Sequence, residues 1–202
     1  MTSDTRSDQL LRFARGRGIF TARDVMGTGI HTQTLSRLVH AGALERVARG
    51  RYRLSEAPVT EHHGFAIVAA AVPNGVVCLL SALSFHKIGT QLPHEVWIAI
   101  DRRARRPALR YPRLRVFRFG GNALTEGIEI HRIEGVDVRV YSPAKTIADC
   151  FKYRNKCGID VAMEAVREAW HERRFTMDAM SRFARICRVD RVMRPYLELL
   201  VA

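Results

Sequence analysis

Residues 19–54 read IFTARDVMGTGIHTQTLSRLVHAGALERVARGRYRL, and the succession of patterns in this stretch decides how the N-terminal part of the chain folds. Thr21 caps a short helix, and Gly27-Thr28-Gly29 supplies the turn that ends it. In a second helix, His31–His40, apolar residues recur at the three- and four-residue spacing of an inward face. After Gly42, apolar residues alternate with arginines, which predicts a two-stranded hairpin.

The polar side chains of the second helix are of the types that read DNA bases. Glutamine pairs with adenine, arginine with guanine, and serine or threonine with base edges or phosphates. The outward-facing residues are Thr32, Gln33, Ser36, Arg37 and His40. Arg49, Arg51 and Arg53 follow on the hairpin with no acid between them, which suits a phosphate backbone. This order of parts is typical of a winged helix-turn-helix. The alternative is a small helical subdomain whose arginines only solvate its surface.

Composition indicates a folded protein with a polyanionic partner. The chain has 202 residues, 47% of them hydrophobic, which is enough for two modest domains. Its formal net charge of +13 favours nucleic acid or an acidic protein surface as partner. The four cysteines lack C-x-x-C spacing, which is typical of reduced thiols. No signal-peptide pattern and no apolar run of about 20 residues is present, so we expect a cytoplasmic protein without a membrane partner.

The remainder of the chain predicts a second domain. A helix from Ser7 to Arg15 completes the N-terminal domain, and the linker Ser55–Pro58 places the boundary between residues 1–57 and 58–202. The C-terminal domain combines several helices with a small mixed or antiparallel sheet of about four strands, including a hairpin around Glu134-Gly135. Ser142 is predicted to cap the helix that follows it. The predicted fold class is therefore α+β, a winged helix-turn-helix followed by a mixed α/β domain.

The sequence lacks the usual signatures of an enzyme. Asp101 and Glu129 lie in predicted strands, but neither begins the E-x-K spacing of a metal-dependent nuclease. Phosphate-binding loops, nucleophile elbows and the H-E-x-x-H zinc motif are also missing. We therefore predict no catalytic residues, no metal site and no cofactor.

Two segments of the second domain point to a family. CLLSALSFHKIGTQLPHEVWIAID, residues 78–101, and VYSPAKTIADCFKYRNKCGIDVAMEAVREAW, residues 140–170, resemble the AbiEi family of type IV antitoxins. The resemblance implies a repressor that binds repeated half-sites in its own promoter, as double-stranded DNA. It also implies a C-terminal domain that counters a cognate nucleotidyltransferase toxin, with or without direct contact. Such pairs act as abortive-infection systems against phage.

The resemblance extends the set of predicted site residues. It maps the DNA-reading helix onto positions 31–40 and the wing onto positions 49–53. The DNA-binding residues are then His31, Thr32, Gln33, Thr34, Ser36, Arg37, His40, Arg49, Arg51 and Arg53. The signature segment contributes Lys145, Asp149, Lys152, Tyr153 and Arg154 as residues for antitoxicity or partner contact. Alternatively, Asp149 pairs with Lys145 or Lys152 on an exposed helix, an interaction of only about 0.3–0.5 kcal/mol.

Three points stay open at the level of sequence. The C-terminal domain is alternatively a ligand-sensing domain of a transcription factor, or a nuclease targeted to DNA by the winged helix. No heptad pattern indicates a dimer, so we expect a monomer in solution. The arginine-rich loop from Arg102 to Arg115 is a candidate for a second contact, either with DNA or with the toxin.

Overall fold

The computed structural model of the protein describes residues 5–201 and has an α+β fold. Its helices are α1 (Arg6–Arg15), α2 (Ala22–Met26), α3 (Thr32–His40), α4 (His63–Ala71), α5 (Leu79–His86), α6 (Asn122–Thr125), α7 (Pro143–Lys152), α8 (Arg154–Cys157), α9 (Ile159–His171), α10 (Met177–Cys187) and α11 (Asp190–Val201). Its strands are β1 (Phe20–Thr21), β2 (Leu44–Ala48), β3 (Arg51–Leu54), β4 (Val76–Val77), β5 (Val96–Asp101), β6 (Leu114–Phe119), β7 (Ile128–Ile133) and β8 (Val136–Tyr141).

The chain divides into two compact units. Unit 1 comprises the chain up to Pro73 together with His131–Val138, the tip of the β7–β8 hairpin. Unit 2 comprises Asn74–Ile130 and the chain from Arg139 onwards. The domain boundary between residues 57 and 58 stays a prediction.

Reciprocal hydrogen bonds fix the start of α2, as the sequence predicts for Thr21. The Thr21 hydroxyl accepts from the Asp24 backbone N–H at 3.0 Å, and the Asp24 carboxylate accepts from the Thr21 N–H at 2.7 Å. This capping box satisfies two donors that the first helical turn leaves free. Partial burial raises the pKa of Asp24, but the hydrogen bonds from Thr21 outweigh it and the net shift is downward. The carboxylate therefore stays ionised at the helix N-terminus.

Unit 1 encloses its own apolar core between helices α1 to α3 and a three-stranded sheet. The sheet has the order β1-β3-β2 and is antiparallel throughout. Phe20 of β1 lies opposite Tyr52 of β3, and its ring meets Phe13 of α1 edge-on at 5.7 Å. The buried core residues are Leu10, Ala14, Phe20, Val25, Ile30, Leu35, Leu38 and Leu44. The core therefore draws on every helix and strand of the stretch that decides the fold except the arginine-rich β3, which only flanks it.

Two glycines allow close backbone approach at the hairpin tip of unit 1. Gly18 and Gly135 both have positive φ, at 62° and 79°. A Cβ on Gly18 would lie 2.0 Å from the Glu134 carbonyl oxygen, and one on Gly135 would lie 1.9 Å from that of Arg17. Only glycine fits either position. The approach allows the Ile19 N–H to donate to the Glu134 carbonyl at 2.9 Å.

The Glu134 side chain ties the same tip to the start of α4. Its carboxylate accepts from the Thr60 N–H at 2.9 Å, from the Thr60 hydroxyl at 3.0 Å and from His63 Nδ1 at 2.6 Å. The side chain is only 7% exposed. Burial raises the pKa of Glu134, but the hydrogen bonds from Thr60 and His63 outweigh it, so the pKa is lowered overall.

A lowered pKa means that Glu134 stabilises the fold in its ionised form. This contribution is present above the ordinary glutamate pKa near 4.5 and is lost as the pH falls through the lower pKa of the folded state. We expect Glu134→Gln to lower the free energy of unfolding by about 1–3 kcal/mol at pH 7. The gap from the parent protein should close below about pH 4. Urea denaturation followed by circular dichroism from pH 7 to pH 3 measures both effects.

The exposed Glu56 supplies the matched control for that experiment. Glu56→Gln removes the same charge, and we expect it to change the unfolding free energy by less than about 0.5 kcal/mol. A gap between parent and Glu134→Gln that stays constant across the pH range would contradict the assigned role of the carboxylate.

Unit 2 is built on a mixed sheet that continues into the hairpin. The strand order is β6-β5-β4-β8-β7, with β4–β8 and β5–β6 parallel and β4–β5 antiparallel. The predicted hairpin at Glu134-Gly135 is confirmed. The sheet has one strand more than predicted, because β4 contains only two residues and leaves no alternating pattern to detect.

Helix α7 occupies the centre of unit 2, where α5, α9 and α10 pack against it. Eight consecutive residues, Ala144–Phe151, are buried, so this helix is enclosed on all sides. The predicted helix start at Pro143 is confirmed, with Ser142 at the N-cap position, but the Ser142 side chain forms no capping hydrogen bond. Its backbone N–H instead donates to the Gly127 carbonyl at 2.7 Å. The position of α7 is thus set by packing and by Pro143 at its first turn.

Candidate nucleic-acid interface

Helix α3 presents a polar face outside the core of unit 1. The His31 imidazole caps its N-terminus, with Nδ1 accepting from the Gln33 N–H at 3.2 Å. Leu35 and Leu38 face the core and hold the helix in place. The exposed residues are His31, Thr32, Gln33, Ser36, Arg37 and His40. All six belong to the predicted DNA-binding set.

Thr34 departs from that set because it lies on the inward face of α3. Its exposed fraction is 8%. Residues four apart share a helix face, so Thr34 lies on the same side as the buried Leu38. The predicted DNA contact of Thr34 has no support from this placement. The four-residue spacing between Thr34 and Leu38 in the sequence already indicates this inward position.

Two of the exposed residues are oriented by hydrogen bonds within unit 1. Arg37 Nη2 donates to the Ser7 hydroxyl of α1 at 2.6 Å. His40 Nδ1 lies 2.7 Å from the Ser36 carbonyl. A carbonyl only accepts, so Nδ1 carries the proton and Nε2 of a neutral ring is left as an acceptor facing away. The polar face of α3 is therefore partly preorganised before any partner binds.

Two of the three predicted hairpin arginines form hydrogen bonds within unit 1. Arg53 is 5% exposed, pairs with Glu45 at 3.1 Å and donates to the Ala57 carbonyl. Arg51 Nε donates to the Ala70 carbonyl at 2.8 Å. These guanidinium groups hold β2, β3 and α4 together. Arg49, by contrast, is exposed at the turn between the two strands.

Arg46 is an exposed hairpin arginine outside the predicted set. Within residues 5–201 neither Arg46 nor Arg49 forms an ion pair. The cross-strand register contained the signal, since Glu45 lies opposite Arg53 and Arg46 opposite Tyr52. Glu45 neutralises Arg53 and leaves Arg46 charged at the surface. The exposed positive charge of the hairpin without an acidic partner therefore comes from Arg46 and Arg49.

The charges of the signature segment are mostly enclosed in the core of unit 2. Lys145 Nζ lies 2.5 Å from Asp149 Oδ2, and neither residue has exposed surface. Lys145 also lies over the Tyr141 ring at 4.1 Å, and Asp149 Oδ1 accepts from Cys187 Sγ at 3.1 Å. Burial raises the pKa of Asp149, while Lys145 opposes the shift. The alternative reading is therefore right about the pairing of Asp149 with Lys145 and wrong about its exposure, and direct partner contact by these two residues has no support.

The other three residues of that segment differ in exposure. Lys152 is exposed, whereas Tyr153 and Arg154 are half-buried. The Tyr153 ring stacks on Phe119 at 5.5 Å, and burial raises the pKa of Tyr153 to about 12. Arg154 Nη1 donates to the Phe151 carbonyl at 3.0 Å. Lys152 is thus the member of the set that presents its charge most fully to a partner.

Unit 2 keeps the two acids considered for a nuclease apart. Asp101 ends β5 and Glu129 lies in β7, with β4 and β8 between them. Three strand spacings separate the acids by about 14 Å, too far to share a metal ion. In the part of the chain that the structure describes, no group of three or more His, Cys, Asp or Glu is placed to hold a metal. No helix within residues 5–201 has the length and apolarity needed to cross a membrane.

One open cleft of about 570 Å³ lies at the junction of α9 and α10 in unit 2. Its lining is mainly apolar and includes one imidazole and one guanidinium group. The lining residues are Trp170, His171, Arg173, Phe175, Thr176 and Met177.

A comparison with known families matches the segment that contains α3 and the hairpin. Residues 8–55 match the family described as transcriptional regulator, AbiEi antitoxin. The match runs from α1 to the end of β3 and includes the exposed face of α3 and the hairpin. By its description that family consists of transcriptional regulators, and the match ends at residue 55. No curated protein matches the chain.

The buried Lys145–Asp149 pair gives a stability prediction. Replacing one member leaves the other charge buried without its partner. We therefore expect Lys145→Met or Asp149→Leu alone to lower the free energy of unfolding by about 3–5 kcal/mol. The double variant should recover most of the loss. Urea denaturation of all four proteins gives the coupling energy.

The exposed i,i+4 pair Arg194–Asp190, at 3.2 Å, is the matched control. Arg194→Met should change the unfolding free energy by less than about 1 kcal/mol. Additive losses in the Lys145/Asp149 double variant would contradict the proposed coupling.

Proposed function

We propose that the chain is a DNA-binding antitoxin that represses its own operon in a type IV toxin-antitoxin system. The observation that carries the proposal is the exposed polar face of α3, followed by a hairpin with two unpaired arginines, within the segment that matches AbiEi regulators. The order α1-α2-α3-β2-β3 supports a winged helix-turn-helix reading of unit 1. The +13 net charge suits a polyanionic partner.

The side chains of unit 1 divide into three proposed roles. Gln33 and Arg37 lie on the exposed face of α3 and read base edges in the major groove of double-stranded promoter DNA. Arg46 and Arg49 contact phosphates. The internal hydrogen bonds of Arg51 and Arg53 assign them to the hairpin scaffold, which revises the contact role predicted from sequence. His31, Thr32, Ser36 and His40 flank the readers on the same exposed face. A monomer binding each repeated half-site is the simplest stoichiometry.

Readers and phosphate contacts should respond differently to substitution. We expect Gln33→Ala to reduce the preference for the DNA upstream of the gene over scrambled DNA by about 5- to 150-fold, the worth of one bidentate base contact. The double variant Arg46→Ala/Arg49→Ala should weaken binding to both DNAs alike. It should also make the slope of log affinity against log salt shallower by about 2, because each lost phosphate contact contributes about 0.9. Fluorescence anisotropy over a salt series measures both quantities.

Arg191→Ala controls for charge, because Arg191 is exposed on α11 of unit 2. It should leave both DNA affinities within about twofold. Equal effects of Gln33→Ala and the arginine double variant would contradict the division into readers and phosphate contacts. No specific complex with the upstream DNA at moderate salt would overturn the repressor proposal.

We further propose that the C-terminal domain, residues 58–202, counters a nucleotidyltransferase toxin. The sequence resemblance across residues 140–170 and the exposed charge of Lys152 support this role. Lys145 and Asp149 act by holding α7 in the core, and Tyr153 and Arg154 by shaping the surface around Lys152.

Antitoxicity is best tested with full-length variants, because residues 131–138 group with the N-terminal unit and lose their contacts if that unit is deleted. We expect Lys152→Ala to impair rescue of cells expressing the neighbouring toxin without lowering the melting temperature. Lys156→Ala, an equally exposed lysine on α8, is the control and should rescue fully. Gln33→Ala should also rescue when expressed from a foreign promoter, which separates antitoxicity from repression. Equal rescue by Lys152→Ala and Lys156→Ala would contradict the role of Lys152.

The cleft between α9 and α10 favours one alternative, a transcription factor with a ligand-sensing unit 2. The size of the cleft falls within the range of small-molecule sites. Gene neighbourhood separates the two proposals. A nucleotidyltransferase reading frame next to the gene supports the antitoxin, and its absence supports the sensor.

A further inference from the structure

The strongest concentration of charge in the protein lies outside the α3 interface. Between Asp101 and Glu126 the chain contains eight arginines and no acidic residue. They are Arg102, Arg103, Arg105, Arg106, Arg110, Arg113, Arg115 and Arg118. Residues 102–113, here called the arginine loop, connect β5 to β6 within unit 2. The roles assigned to α3, the hairpin and Lys152 leave this loop without a function.

Hydrogen bonds hold the first turn of the arginine loop in a defined shape. The Asp101 carboxylate accepts from the Arg103 N–H at 2.7 Å. Arg118 of β6 donates to the carbonyls of Arg102 and Ala104, at 2.9 and 2.8 Å. Arg118 therefore has a structural role, because it orders the backbone that carries the neighbouring arginines. A loop whose start is fixed in this way presents its charges with less entropic cost on binding.

Arg115 also has partners within unit 2. It lies 3.7 Å from Glu95 and 4.4 Å from the centre of the Trp97 ring. The remaining side chains are different. All six are exposed, and no carboxylate within residues 5–201 pairs with them; they are Arg102, Arg103, Arg105, Arg106, Arg110 and Arg113. Like charges at this density repel one another, and a polyanion relieves that repulsion.

An exposed aromatic ring narrows the choice of polyanion. Tyr111 is 72% exposed and stands between Arg110 and Arg113 in the chain. Arginines that follow phosphates, combined with an aromatic ring on which a base stacks, are the chemistry of single-stranded nucleic-acid binding. The bases of a duplex are already stacked on one another, and an acidic protein surface offers no ring face. The ring therefore favours a strand with unpaired bases.

We propose that the arginine loop binds single-stranded nucleic acid. Its exposed arginines contact consecutive phosphates, and Tyr111 stacks on a base. DNA and RNA share both groups, so the site accepts either. The proposal concerns unit 2 alone and does not depend on promoter binding by α3.

The test uses the full chain and labelled single-stranded dT12 and U12, which offer no duplex for α3 to read. The triple variant Arg103→Gln/Arg105→Gln/Arg106→Gln should bind both strands at least about tenfold more weakly. It should also make the slope of log affinity against log salt shallower by about 2, because each of the three lost phosphate contacts contributes about 0.7 on a single strand. The matched control Arg167→Gln/Arg185→Gln/Arg191→Gln removes the same charge from exposed helix positions of unit 2. Equal losses in the two triple variants would overturn the proposal, because net charge alone would then explain binding.

Tyr111 supplies a second readout that charge does not affect. Tyr111→Ala should weaken binding of dT12 by about 5- to 150-fold, whereas Tyr111→Phe, which keeps the stacking ring, should bind like the parent. Equal affinities of the two variants would overturn the stacking contact. Poly-glutamate of matched charge should compete poorly with dT12. Efficient competition would replace the proposed ligand with an acidic protein surface.

The hairpin double variant Arg46→Ala/Arg49→Ala distinguishes the two interfaces. It should lose promoter affinity and keep its affinity for dT12. The loop triple variant should show the reverse. Loss of dT12 binding in the hairpin variant would assign single-strand binding to unit 1 and overturn the proposal.

Discussion

Buried charge must be paired, and this constraint decides which ionic residues of the protein are left for function. A charged group taken from water without a partner costs several kcal/mol, far more than any surface ion pair returns. Arg53 is therefore paired with Glu45, and Lys145 with Asp149. Within residues 5–201 every buried side-chain nitrogen and oxygen has a hydrogen-bond partner. Charges used in this way stabilise the interior of their own unit and are not available to a ligand.

The same constraint sharpens the proposed function. The hairpin of unit 1 has a strongly basic sequence, yet only Arg46 and Arg49 are both exposed and without an acidic partner within residues 5–201. Among the five predicted contact residues of the signature segment in unit 2, Lys152 is likewise the one that is exposed. A small number of exposed groups therefore carries the proposed contacts, and the more numerous internal ones set their positions. Loss of an internal group acts through stability, while loss of an exposed group acts through binding.

The arginine loop differs, because it exposes many charged groups instead of a few. Its arginines are crowded, exposed and without acidic partners in the described chain, at a cost in electrostatic repulsion that the fold itself does not require. Unit 1 and unit 2 thus each have a basic surface of different construction. One is a helix face with mixed polar side chains, suited to the grooves of a duplex. The other is a loop of arginines around one aromatic ring, suited to an unpaired strand.

The sequence by itself determined the local features of the protein. The capped start of α2 at Thr21, the inward and outward faces of α3, and the Glu134-Gly135 hairpin each depend on residues at most four positions apart. Helical periodicity and turn-forming residues act over that range, so local structure can be predicted from the sequence.

Only the tertiary structure decided the fate of the charges. Arg51 bonds to Ala70, Glu134 to Thr60 and His63, and Asp149 to Cys187, all across separations that no local pattern encodes. The sequence predicts the i,i+4 pairing of Lys145 with Asp149, but it does not predict that the pair is buried. Burial is the sum of contacts from distant segments, here α5, α9 and α10 around α7. Whether a charged side chain binds a ligand or supports the core is therefore settled only when the chain has folded.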